Sequence, residues 1–235
     1  MVQKTKQIYE GKAKILYETD SADYLIQYFK DDATAFNAAK KGTIQGKGII
    51  NNKISTKIFE FLEAQGIPTH FEKILNDREM LVKRVEIFPL EVIIRNVAAG
   101  SLTKILNVKE GTILACPILE FCFKNDALGD PQINEYHIRA LKLAEDKDVE
   151  TVKKFTFKIN ELMKDFFGAI NLDLIDFKLE FGKFKGKTIL ADEISPDTCR
   201  LWEKGTGRKM DKDRFRRDLG GTEEAYREVL ARVSQ

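Results

Sequence analysis

At 235 residues, with 43% hydrophobic and 32% charged side chains, the chain has the composition of an ordinary globular protein, with core enough for one large domain or two close lobes. Its formal net charge of +2 argues against a polyelectrolyte footprint for nucleic acid, and no uninterrupted apolar run approaches the ~20 residues that span a bilayer. Cys116, Cys122 and Cys199 form no C-x-x-C pair, and the amino terminus lacks the apolar core of a signal peptide, which predicts a reduced, cytoplasmic protein. With His70 and His137 as the only histidines, a histidine-rich zinc site or a Ser-His-Asp hydrolase is a poor fit. The chemistry falls to Lys, Arg, Asp, Glu and any bound metal.

In chain order, the first ninety residues read as antiparallel β with one helix. Ile8-Tyr9 and Ile15-Leu16-Tyr17 flank a turn at Glu10-Gly11-Lys12, and residues 24–29 follow as a strand. Residues 47–65 are helical by the spacing of Ile50, Ile54, Ile58 and Phe61/Leu62, with Gly66 and Pro68 as the stop. Strands are expected at 70–74 and 79–85, joined by a turn at Asn76-Asp77. From about residue 84 the pattern changes. A mostly apolar strand, 90–94, leads through Arg95 into the small-residue turn Ala98-Ala99-Gly100-Ser101. Helices are predicted at 134–145 and 149–167, the second capped by Asp148 and burying Val152, Phe155, Ile159, Leu162 and Phe166. Short helices close the chain at 211–218 and 222–233, the latter capped by Thr222. Mixed strands and helices without βαβ alternation give an α+β class, with a boundary near residue 83.

Between the helices lies the most informative stretch. Asp176-Phe177-Lys178-Leu179-Glu180-Phe181 alternates strictly, with Asp176, Lys178 and Glu180 on one face, and Thr188 to Asp192 returns as a second strand. With the turn centred on Gly186, Glu180 faces Asp192 across the ladder at roughly 4.5–5.5 Å between Cβ atoms, where like charges repel. A cation between them relieves the repulsion. Oxygen-only ligation suits Mg²⁺, which arrives with phosphates, so the hairpin points to a magnesium-nucleotide site. The competing reading is that Lys178, on the same face, neutralises its neighbours without metal.

Other segments carry two readings each. Gly11-Lys12-Ala13-Lys14 is a solvated hairpin tip or a flexible turn whose lysines meet phosphate. Lys83-Arg84 is a basic strand end or part of a strand whose backbone pairs with an adenine edge. Arg95 is costly to bury without an anion, which is either a substrate group or an internal carboxylate. In Asp192-Glu193-Ile194-Ser195-Pro196-Asp197-Thr198-Cys199-Arg200, Asp197 receives an ammonium group or orients Arg200, against a capped turn with a local ion pair. Lys124-Asn125-Asp126 and Asp130-Pro131 read as a loop or an active-site flap.

Taken together, four segments resemble the phosphoribosylaminoimidazole-succinocarboxamide synthase (SAICAR synthetase) family. They are Tyr9 to Lys14; Val92 to Asn96 with Ala98 to Ser101; Asp176 to Gly182; and Asp192 to Asp197 with Arg200-Leu201-Trp202. Asp211-Lys212-Asp213-Arg214-Phe215-Arg216 is similar as well. The resemblance spans the chain at the single-domain bacterial length. It implies a two-lobe fold related to ATP-grasp, with an antiparallel β-rich nucleotide lobe over 1–83 and a mixed lobe over 84–235 carrying metal and substrate residues. It implies an ATP-dependent ligase that joins L-aspartate to the carboxylate of carboxyaminoimidazole ribonucleotide, in a homodimer. On that basis Lys12 and Lys14 lie along the ATP phosphates with Lys83 near the nucleotide, and Glu180 and Asp192 bind Mg²⁺. Arg95, Ser101 and Arg200 hold the ribotide. Asp176, Lys178 and Asp197 line the junction of the two substrates, and Lys14, Lys178, Asp192 and Asp197 carry the chemistry. The rival reading of the same residues is a small-molecule kinase that stops at phosphoryl transfer.

Overall fold

The computed structural model describes residues 2–35 and 40–235. The chain opens with a meander of β1 (Lys4–Glu10), β2 (Lys14–Thr19) and β3 (Tyr24–Phe29), followed by a two-stranded ribbon of β4 (Asp32–Ala35) and β5 (Lys40–Thr43). After α1 (Lys47–Ala64), β6 (Phe71–Ile74) and β7 (Glu79–Lys83) complete a five-stranded antiparallel sheet in the order β1-β2-β3-β7-β6. The ribbon and α1 are held at this sheet by Asp31, which accepts both Arg78 terminal nitrogens at 2.8 Å and the N–H groups of Gly46 and Gly48.

The remainder supplies β8 (Glu86–Ile87), β9 (Leu90–Val97), α2 (Ser101–Ile105), β10 (Ile113–Phe123), β11 (Gln132–Ile133), α3 (Glu135–Ala140) and α4 (Asp146–Ala169). These are followed by β12 (Leu172–Phe184), β13 (Lys187–Ala191), β14 (Cys199–Glu203), α5 (Asp213–Arg216) and α6 (Thr222–Val233). A second, seven-stranded sheet runs β11-β10-β9-β12-β13, and β12 also pairs with β8 and β14. One hydrophobic core runs from Phe29 and Ile54 through Ile94, Phe177 and Leu190 to Tyr226 and Val229, so both sheets pack on shared side chains. The sheets also meet through backbone, where His70 N–H donates to Leu190 O at 2.8 Å. Among the described residues no helix is long and apolar enough to cross a membrane.

Most expected elements form, and the differences have local causes. Helix α1 buries the predicted Ile50, Ile54, Ile58 and Leu62, but also Asn51, Asn52, Ser55 and Thr56, because it packs against the sheet on one side and α6 on another. In α4 the core positions are Val149, Val152, Ile159, Met163 and Phe167, whereas Phe155, Leu162 and Phe166 are only partly buried. That helix begins at Asp146, so Asp148 lies inside its first turn and not at the cap. There it accepts Thr188 Oγ1 at 2.8 Å, tying α4 to β13. Thr222 likewise is the first helical residue of α6, after Gly221.

The hairpin register also differs from expectation. Phe184 pairs with Lys187 across a two-residue turn in which Lys185 and Gly186 both have positive φ, the geometry of a type I′ turn. Glu180 therefore pairs with Ala191, not with Asp192. Asp192 leaves the ladder at φ 67°, which turns its chain off the strand line.

Gly182 is where β12 is flanked on both sides, by Ile189 of β13 and Ile87 of β8. A Cβ here would overlap the Glu86 carbonyl and the Val85 side chain. Gly182→Ala is expected to cost about 1–3 kcal/mol by overpacking, read as a lower midpoint in denaturant unfolding. An unchanged midpoint would mean that β8 yields freely.

Candidate active site

Strand β12 is the spine of a cleft of about 580 Å³. Asp176, Lys178 and Glu180 line it from one face of this central strand, as the alternation predicts. The β1–β2 turn brings Lys12 and Lys14 to the same cleft, β9 brings Glu91 and Arg95, and the segment after β13 brings Asp192, Glu193 and Asp197. Ser55 of α1 holds that last segment by donating to Ile194 O at 3.0 Å.

At one end carboxylates and ammonium groups interlock. Lys178 Nζ donates to Glu180 Oε1 at 2.7 Å and Glu91 Oε1 at 3.0 Å, and lies 3.7 Å from Asp192 Oδ2. Lys124 binds the other oxygen of Glu180, and Lys14 binds Asp192 and lies 3.3 Å from Glu193. Glu180 and Asp192 thus do come together, with an ammonium group between them. Burial by itself would raise the Asp192 carboxyl, but Lys14, Lys178 and Lys124 outweigh it and hold the group well below the usual carboxylate range. Burial likewise pulls Lys178 down, and Glu180, Asp192 and Glu91 more than reverse it. Both ions are fixed as ions.

Among the described residues no group of three or more His, Cys, Asp or Glu is arranged to hold a metal by itself. Mg²⁺ is commonly held by one or two carboxylates, with waters and substrate phosphates completing the shell. Glu180 and Asp192, which share the Lys178 ammonium group, fit that donor set.

The other end is a lattice of guanidinium and carboxylate. Arg95 is buried, with Nε and Nη2 on Glu120 Oε2 at 3.0 and 2.8 Å, Nη1 on Asp176 Oδ2 at 2.7 Å, and Nη2 also on Ser101 Oγ at 2.9 Å. Its anionic partners in the structure are these internal carboxylates. Asp176 also accepts Arg200 Nη1 at 2.9 and 3.0 Å, and Arg200 Nε reaches Asp213 Oδ2 at 3.1 Å. Arg200 Nη2 makes no hydrogen bond among the described residues. It lies against Gly100, where a Cβ would approach it to 2.5 Å. The small-residue turn therefore makes room for Arg200 at the cleft wall.

Asp197 is bound from behind. Lys47 Nζ donates to Oδ2 at 2.6 Å and Tyr226 OH to Oδ1 at 2.6 Å, both from fully buried side chains. Burial raises this carboxyl, and Lys212, Lys47 and the Tyr226 hydroxyl together drive it well below the ordinary range. Lys83 does not line the cleft: its ammonium group is held by the carbonyls of Thr69 and Phe71 at 2.9 and 3.1 Å. Lys12 reaches Asp126 at 2.7 Å, joining the β1–β2 turn to the loop after β10.

Glu91, Glu120, Lys47 and Tyr226 were not among the expected site residues. Three carried a signal. A lysine opening a helix opposes the helix dipole, and a glutamate inside an apolar strand needs a buried cation. Tyr226 sits on the apolar face of an ordinary amphipathic helix, with nothing local to mark it.

A cleft that fixes several ammonium groups against carboxylates, beside a guanidinium lattice, suits anionic substrates, and proteins of this fold show which. A crystal structure of phosphoribosylaminoimidazole-succinocarboxamide synthase from Ehrlichia chaffeensis superposes with a TM-score of 0.96 at 46% identity, covering 97% of this chain and 98% of that one. A type-2 SAICAR synthetase solved in complex with ADP gives 0.93 at 47% identity over 97% of each chain. The synthase of the same name from Caldanaerobacter subterraneus is 60% identical over 234 residues, the full length of both. Fold and site are therefore those of a ligase of purine biosynthesis. The family model for SAICAR synthetase matches residues 7–233, and the chain belongs to that family.

Asp211 ties the cleft wall together, accepting Leu201 N–H of β14 at 2.8 Å and Asp213 N–H of α5 at 2.7 Å. Burial, then repulsion from Asp213, pushes its carboxyl up to about 7. A raised acid favours folding below its unfolded value, near 4, and loses that contribution as pH rises through 7. The stability of the wild type relative to Asp211→Asn should therefore fall between about pH 4 and pH 7 in urea unfolding. A flat difference over that range would mean that Asp211 is not buried as a neutral acid.

Proposed function

We infer that the chain joins the amine of L-aspartate to the carboxylate of carboxyaminoimidazole ribonucleotide with cleavage of ATP to ADP and phosphate. What supports this most is the junction in one cleft of a lysine-carboxylate end, fit for a polyphosphate and a divalent ion, with a guanidinium-lined end, fit for a second anion. The ADP complex of the 47% identical relative agrees with the first assignment.

In this reading Lys12 and Lys14 run along the phosphates, and Glu180 and Asp192 hold Mg²⁺, which when bound would neutralise phosphate charge. Ser101 and the open edge of Arg200 hold the ribotide. Arg95 acts behind them by orienting Asp176 and Ser101. Residues 1–83 form the nucleotide lobe and 84–235 the lobe carrying metal and substrate groups, with Lys83 outside the phosphate contacts. A cytoplasmic setting agrees with the three free cysteines, and Ile105, Leu106 and Ile113, each more than half exposed, are apolar surface that a homodimer would cover.

A carboxylate is a poor acyl donor because its oxygen leaves badly. Phosphorylation by ATP makes it an acyl phosphate, which the aspartate amine attacks, and phosphate departs. Lys14 and Lys178, held in place beforehand, meet charge on the transferring group without reorganising, and alignment of the reactants supplies much of the rest.

Phosphate release from ATP with ribotide present is expected to depend on aspartate. ADP formation at full rate without aspartate, with the phosphoryl group retained on the ribotide, would instead identify a kinase. Asp192→Asn should lower turnover by on the order of 10²–10³-fold through loss of a charge stabiliser. Near-normal turnover of that variant at limiting Mg²⁺ would remove Asp192 from the metal site.

A further inference from the structure

The attacking amine reaches the cleft as an ammonium ion and must lose a proton before it can attack. Asp197 lines the same cleft, but it is a weak base: two buried donors hold it as an anion. Lys212 is placed differently. It stands just before α5, with its backbone N–H on Pro196 O at 3.0 Å and its side chain, 12% exposed, lining the cleft. Lys14, Lys124 and Lys178 are each bonded to a carboxylate. Lys212 Nζ, by contrast, makes no hydrogen bond among the described residues, and its nearest carboxylate oxygen, Asp197 Oδ2, is 4.0 Å away. Lys47, not Lys212, donates to that oxygen, at 2.6 Å.

We propose that Lys212 is the proton acceptor for the amine of the second substrate. This rests on the ligase reading above. The groups that face it are Asp197 and Glu193 from the segment after β13, Lys47 from α1 and Arg216 from α5, with Tyr226 of α6 behind Asp197. Burial lowers the Lys212 ammonium, Arg216 and Lys47 add to that by repulsion, and the attraction of Asp197 and Glu193 does not reverse it. The net direction is downward, towards the free base that a proton acceptor must present. The proton passes from substrate nitrogen to the neutral Lys212 Nζ. The freed lone pair forms the C–N bond at the acyl carbon, the C–O bond to phosphate breaks, and the second N–H proton leaves with the phosphate. Lys212 then returns its proton to water.

Lys212→Arg separates this from simple charge attraction, because guanidinium keeps the charge and does not deprotonate. At pH 7 the expected result is an aspartate-dependent kcat lower by on the order of 10²-fold or more, with little change in aspartate KM and a rate that keeps climbing with pH. Hydroxylamine, an amine already neutral at pH 7, should be converted to hydroxamate by Lys212→Arg at close to the wild-type rate. ADP binding serves as the folding control, and Lys212→Gln is the second variant. Retention of near-wild-type kcat with aspartate by Lys212→Arg would overturn the proposal. So would a raised aspartate KM in Lys212→Gln that arginine restores, since that pattern marks a carboxylate anchor. Absence of any aspartate-dependent phosphate release in the wild type would instead sink the ligase reading itself.

Discussion

Three carboxylates converge on the ammonium group of Lys178, and the cleft depends on that convergence. Glu91 comes from β9, Glu180 from β12 and Asp192 from the exit of β13, so one cation joins neighbouring strands at their functional edge. Without it, like charges a few ångströms apart in a partly dry cleft would repel, and removing one partner of such a cluster leaves charge that nothing else compensates. Lys14 and Lys124 extend the same pattern outward, each to a different carboxylate. Mutual neutralisation lets a strand edge carry so many acids.

The arrangement also bears on how a polyphosphate would be received. Its oxygens offer the lysines new acceptors while a divalent ion offers the carboxylates a new counterion, so both sets of ions exchange partners in place. Little rebuilding of the protein is called for. Preorganised charge of this kind is more effective than charge assembled at the moment of reaction.

What the chain revealed in advance was largely local. The alternation of residues 176–181 marked the spine of the cleft, and the Gly100 turn marked a close approach. The hairpin register escaped because Lys185-Gly186 and a turn centred on Gly186 differ by half a residue, enough to change every cross-strand partner. Strand β10 escaped because a run apolar but for Glu120, with Pro117 inside it, has no clear period, and its pairing with β9 is interrupted between Ile113 and Ile118. In α4 the buried stripe follows the sheet beneath it, which favoured Met163 and Phe167 over Leu162 and Phe166. Arg95 was marked by the cost of burying it and Asp197 as a receiver of an ammonium group, but partners such as Glu120 and Lys47 are 25 and 150 residues away in the chain, and periodicity carries no information over that distance.

Those distant partners explain what the buried charges do. Glu120, Arg95, Asp176, Arg200, Asp213 and Arg216 form a chain of alternating sign that crosses β10, β9, β12, β14 and α5. Hydrophobic replacements would often fold as well or better, since desolvating such ions costs much of what their attraction returns. The lattice instead gives orientation: Asp176 is gripped from both sides, so Arg200 can turn in only a narrow range, with one edge left over Gly100. A rigid guanidinium facing an open cleft discriminates between anions by geometry, where a flexible lysine would answer mainly to charge.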